Sequence, residues 1–133
     1  MKKLSINLFV ILFILMSCSG KPSKKRSLDD TLYAYASSIR WSNFDAAVSF
    51  LKADDKTTKP RSFELQRLKQ FKVSSYAESP IKPGPKENVI LQSVEIQLYN
   101  IHNNKTRTIY DHQSWEYDAA LSQWLLTSGL PKL

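Results

Sequence analysis

Few side chains in this sequence are of a type and spacing that could do chemistry. The single cysteine, Cys18, follows Leu15-Met16-Ser17. A lone thiol cannot close an internal disulfide, but it can accept an acyl group. Asp111 and His112 stand side by side, and Tyr76, Tyr99 and Tyr110 supply phenols. Such groups move protons only where a donor and an acceptor with tuned pKa values converge on one substrate atom. Adjacent residues of a strand point to opposite faces, so Asp111 and His112 cannot cooperate unless a bulge intervenes. The histidines His102 and His112 have no cysteine or further histidine at ligand spacing, so no metal site is expected. The chain has only three glycines, with no phosphate loop and no nucleophile elbow, and neither a cofactor nor a catalytic centre is expected.

Aromatic residues are the remaining feature. Trp and Tyr concentrate where one end of a side chain is packed and the other stays wet. Trp41, Tyr76, Tyr99 and Trp115 are the candidates for contact with a ligand or partner, with pocket lining expected above all at Trp41 and Tyr76. Core packing is the expected role of Trp115 and Trp124.

These residues need elements to position them, and the sequence supplies the elements in order. Ser27-Leu28-Asp29-Asp30 fits a capping box. Leu28, Leu32, Tyr35, Ala36 and Ile39 fall at i, i+4, i+7, i+8 and i+11, which predicts an amphipathic helix over 28–41. Ser42-Asn43-Phe44-Asp45 repeats the cap, and Phe44, Ala47, Val48 and Leu51 predict a second helix over 43–53. Residues 54–60 are charged and turn-like. Phe63, Leu65, Leu68 and Phe71 allow a short third helix.

The period then changes. Residues 71–77 alternate as a strand, and Pro80, Pro83 and Pro85 force a loop because proline removes ladder donors. Residues 89–99 form the clearest strand, with Val94, Ile96 and Leu98 on one face. Residues 102–105 make a hairpin turn, where asparagine tolerates left-handed angles. Residues 106–118 return with Ile109, Asp111, Gln113, Trp115 and Tyr117 on one side. Asp111 among these implies a bulge or a wet end of the sheet. After a turn at 119–122, residues 123–127 form the last strand. Two or three helices followed by four antiparallel strands predict an α+β domain, with the helices packed on one face of a curved sheet.

The first residues are unlike this domain. Basic Met1-Lys2-Lys3 is followed by an apolar run from Leu8 to Met16 and then by small residues, the tripartite order of a secretory signal peptide. A membrane span needs about 20 apolar residues, roughly twice this run. Leu15-Met16-Ser17-Cys18 resembles the lipobox of bacterial lipoproteins, although Met16 is an uncommon choice at its position. The resemblance implies a signal peptide over 1–17, diacylglycerol on Cys18 and usually an acylated new amino end. Multiple acyl chains hold firmly where one is marginal. Residues 18–26 (CSGKPSKKR) read as the lipidated cysteine and a flexible tether, and the domain is expected over 27–133. Ser19, where an aspartate usually retains lipoproteins in the inner membrane, implies an outer-membrane position facing the periplasm in a two-membrane cell. In a cell with one membrane the domain would face outside.

Net charge is +7 over 133 residues, a value that suggests nucleic acid. Lys2, Lys3, Lys21, Lys24, Lys25 and Arg26 precede residue 27, however, and leave 13 Lys and Arg against 12 Asp and Glu in the domain. No nucleic-acid partner is expected, since such binders carry a basic face on the domain itself.

The helix–helix–sheet order over about 28–130 is similar to the nuclear-transport-factor-two-like (cystatin-like cone) superfamily. Trp115-Glu116-Tyr117-Asp118 followed by Trp124-Leu125-Leu126 resembles its paired final strands, and the tail Thr127 to Pro131 looks like that of small envelope lipoproteins. The resemblance implies a cone whose mouth holds a small molecule or a partner, and no particular reaction. The function expected is a non-catalytic, lipid-anchored binding or adaptor domain for an envelope protein or a small apolar ligand. The alternative is a small cone-fold lyase or isomerase using a pocket carboxylate or histidine.

Overall fold

The structure, a computed structural model, describes residue 20 and residues 23–53 and 59–133. Residues 1–17, read as a signal peptide, Cys18, part of the 18–26 tether and most of the charged turn before Pro60 lie outside the described residues. No helix among the described residues is long and apolar enough to cross a membrane.

Helix α1 runs from Lys24 to Arg40 and buries Leu28, Tyr35, Ala36 and Ile39, the stripe expected from its periodicity. It starts a turn earlier than the Ser27 box predicts. Ser23 is the N-cap, its hydroxyl accepting from the Arg26 amide at 3.3 Å. The extra turn is held by tertiary contacts that local sequence does not show. The Lys24 carbonyl accepts from the Trp124 indole at 3.2 Å, and the Lys24 ammonium lies over the Tyr117 and Trp124 rings. Lys24, Lys25 and Arg26 are therefore helix, not tether.

At the corner, Ser42 adopts a left-handed φ of 57°. It does not cap the next helix, α2 (Phe44–Val48). Asn43 does so, accepting from the Ala46 amide at 3.1 Å, while the Ser42 hydroxyl accepts from the Val73 amide at 2.9 Å. Helix α2 is shorter than the 43–53 expected because the chain leaves it to line the sheet. Phe50 and Lys52 exchange backbone bonds with Leu126 at 2.8 and 3.1 Å, as Leu51 forms a parallel bridge to that residue. Helix α3 (Ser62–Leu68) begins at Arg61, whose amide donates to Glu64 at 2.9 Å.

Five strands follow: β1 (Phe71–Glu78), β2 (Lys82–Pro83), β3 (Val89–Asn100), β4 (Thr106–Asp118) and β5 (Gln123–Leu126). They form one antiparallel sheet in the order β1-β3-β4-β5, with β2 also pairing β3. Strand β2 was not expected, because the prolines around it remove donors. It survives because Pro83 sits on an edge, where a missing N–H breaks no ladder. Gly84 follows at a close approach, since a Cβ there would meet the Val89 side chain at 2.5 Å.

The β3–β4 ladder runs unbroken from Val89–Glu116 to Tyr99–Thr106. Its turn uses Asn104 at φ 55°, with the Asn100 and Asn103 side chains accepting from the His102 and Lys105 amides. Ladder irregularity falls elsewhere, in β1 between Val73 and Ser75. The sheet curls into a half-barrel with the helices on its concave side, the α+β cone-like arrangement expected. Val94, Ile96, Leu98, Trp115 and Leu126 from the sheet meet Tyr35, Ile39 and Phe44 in the core.

Candidate functional site

The concave face carries a linked set of polar groups inside the apolar core. Asp111 shows neither the bulge nor the wet end expected. It sits in regular ladder opposite Val94 and is only 8% exposed. Strand alternation places Asp111, Gln113 and Trp115 on one face two residues apart, and the Gln113 amide joins them. Its nitrogen donates to Asp111 Oδ2 at 2.9 Å and to the Tyr76 hydroxyl at 3.1 Å. Its carbonyl accepts from the Trp115 indole at 3.1 Å. The Tyr35 ring packs edge-on against Trp115 at 5.1 Å, and its buried hydroxyl has no partner among the described residues.

Electrostatics here are governed by desolvation, which disfavours the charged form of an acid. Burial pushes the Asp111 carboxyl above its ordinary range, although the Gln113 hydrogen bond and the charge of His112 pull it back in part. Burial also raises the Tyr35 and Tyr76 hydroxyls, and the Asp111 charge adds to both. Burial thus favours the protonated form of each of the three acids. His112 lies on the opposite face, exposed, with Nδ1 against the Ser93 hydroxyl at 3.0 Å. As their adjacency requires, it cannot share a substrate atom with Asp111.

The raised Asp111 pKa has a consequence for stability. A carboxyl that binds its proton more tightly when folded contributes stability at low pH and loses it as pH rises through the folded value. Asp111→Asn keeps an oxygen for Gln113 and removes the titration. The variant is expected to melt higher than wild type at pH 7, with the difference shrinking as pH falls toward the ordinary aspartate range. Parallel melting curves of both proteins across this window would refute the assignment.

Outside the cluster, two clefts follow the seam between α1 and the β1–β2 edge. One, of about 370 Å³, is lined by Arg40, Trp41, Val73, Ser74, Ser75 and Tyr76. The other, of about 450 Å³, is lined by Asp29, Leu32, Tyr33, Arg40, residues 78–81 and Gln92. Arg40 belongs to both, its guanidinium over the Tyr76 ring at 5.1 Å and 4.0 Å from Glu78. The two clefts share Arg40 and are flanked by Trp41 at 81% exposed and Tyr33 at 74%. A third cleft, of about 290 Å³, opens between α3 and the tail 128–133.

Of the residues singled out from sequence, Trp41 and Tyr76 meet in one cleft. Tyr99 projects from the other face of the sheet, and Trp115 has no exposed surface and packs the core. Arg40, Glu78 and Tyr33 were not foreseen. Only Gln113, placed on the buried side between Asp111 and Trp115, was legible as a polar link. No family model, curated protein or solved structure matches this chain.

Proposed function

We propose that the chain is a lipid-anchored envelope lipoprotein, held by Cys18, whose domain is of the nuclear-transport-factor-two-like kind and binds a partner without catalysing a reaction. In a two-membrane cell it faces the periplasm from the outer membrane. The observation that carries the binding role is the cleft at the α1–β1 seam, with Trp41 standing exposed on its wall. A large aromatic left in water next to a concave surface is the residue type that dominates binding energy once a partner desolvates it. The polar cluster behind the cleft supports a non-catalytic reading, since the Gln113 amide bonds to Asp111, Tyr76 and Trp115 and no histidine shares their face.

The partner is an envelope protein or a small apolar ligand, and native mass spectrometry of the lipoprotein extracted gently from its own cells distinguishes them. Tens of kilodaltons of added mass identify a protein, and a few hundred daltons a small molecule. Trp41→Ala is expected to raise the dissociation constant about 30-fold, the equivalent of a hot-spot truncation near 2 kcal/mol, and so to deplete the adduct. An unliganded wild type, or a Trp41→Ala protein that keeps its full adduct, would remove the reading. A second reading, a small lyase or isomerase, has the buried Asp111 in its favour, whose carboxyl lies above its ordinary range. It requires a substrate that reaches this carboxyl, and neither seam cleft is lined by Asp111.

A further inference from the structure

We propose that the end of the domain where α1 begins is a membrane-apposed face that docks on anionic lipid headgroups. The inference rests on lipid anchoring at Cys18 and adds an orientation to it. Ser23, the cap of α1, lies five residues after that cysteine, so extended chain allows at most roughly 17 Å between the lipidated residue and the helix. The domain therefore cannot move far from the bilayer, and one of its faces must meet it first.

The chemistry of that face is distinctive. Lys24, Lys25 and Arg26 are all exposed, and the first turn contains no acidic residue. Among the described residues none of the three forms an ion pair, although Asp29 and Asp30 lie one turn further along. The helical turn that carries these charges is fastened to the body of the domain through Lys24. The Lys24 carbonyl accepts from Trp124, and its ammonium sits 4.8 Å from the Tyr117 ring centre and 5.5 Å from that of Trp124. The same contacts bring the β4–β5 turn to this end, where Leu121 is 59% exposed and its amide is held by the Asp118 carboxylate at 3.0 Å. Three cations on one helical turn, at the same end of the domain as an exposed leucine, suit a surface that is anionic outside and apolar beneath. Asp118 and the aspartates of α1 oppose it in part, which restricts docking to anionic bilayers. Docked this way, the domain turns the β3–β4 hairpin away from the membrane.

Each basic residue near an anionic surface contributes on the order of 1 kcal/mol, or about fivefold in the docked population. The test reconstitutes the detergent-extracted full lipoprotein into vesicles of phosphatidylcholine alone or doped with phosphatidylglycerol and reads amide hydrogen exchange. Peptides covering 23–27 and 119–122 are expected to exchange at least tenfold more slowly on the anionic vesicles, with the effect lost in high salt. The hairpin at 101–105 should exchange equally on both. Lys25→Gln with Arg26→Gln, which spares the Lys24 contacts that pin the helix, should remove most of the protection. Equal exchange on the two vesicle types, or protection at the hairpin instead, overturns the docked face and leaves anchoring intact. A protein that carries no acyl mass on Cys18 and fails to float with either vesicle overturns both.

Discussion

Trp115→Ala should lower unfolding stability by about 3–5 kcal/mol, the range for deleting a large buried aromatic. Three losses combine. Trp115 has no exposed surface, its ring takes edge contacts from Tyr35 at 5.1 Å and Phe50 at 6.5 Å, and its indole supplies the hydrogen bond to the Gln113 carbonyl. Removing the donor leaves that carbonyl buried and unpaired, which adds to the cavity. A domain of this size has roughly 5–15 kcal/mol in total, so the loss takes between about a fifth and all of it and should lower the denaturation midpoint markedly. Urea denaturation followed by far-ultraviolet circular dichroism measures the loss without relying on the removed fluorophore. Trp41→Ala, at an exposed corner, should stay within about 0.5 kcal/mol of wild type. A similar loss from both tryptophans would contradict the burial that separates them.

Cys18→Ala should abolish lipid attachment completely. In the reading from Leu15-Met16-Ser17-Cys18, the thiol takes the diacylglycerol and cleavage before residue 18 depends on it. The variant is expected to persist as a full-length precursor that incorporates no labelled palmitate, while wild type loses residues 1–17 and gains acyl mass. Intact-mass analysis of both proteins from membrane fractions makes the comparison. An alanine variant cleaved at the same bond and still membrane-bound would remove the lipoprotein reading and the docked face with it.

Where the structure agrees with sequence, the reason is periodicity enforced by burial. Val94, Ile96 and Leu98 alternate because a slip of one residue would turn all three to water, and α1 keeps its stripe for the equivalent helical reason. Departures cluster where distant residues decide. Ser27 has the better local cap sequence, yet Trp124 and Tyr117 stabilise Lys24 and move the start to Ser23. Ser42 matches a cap template as well as Asn43 does, but the Val73 amide takes its hydroxyl. The helix after it ends early because Phe50 and Lys52 find partners in β5. The candidate site follows the same division. Asp111, Gln113 and Trp115 share a face of one strand and could be grouped by counting. Tyr76 joins them only through the β1–β3 register, and Tyr35 only through packing of α1. The clefts needed Arg40 and Glu78 to meet across that same seam, which no spacing in the sequence encodes.

The Lys24–Trp124 hydrogen bond spans 100 residues of sequence, and this separation bears on the order of folding. Closing a loop of that length costs roughly 2–3 kcal/mol more entropy than closing the short β3–β4 turn. The central hairpin can therefore pair before the ends of the chain meet, whereas the Lys24 contacts of the first turn of α1 form only once β5 is in place to receive them. A chain exported unfolded would build its sheet first and fasten its amino-terminal end last. Tension applied through a lipid at Cys18 would undo the same fastening first, releasing the first turn of α1 as slack before it reached the hairpin.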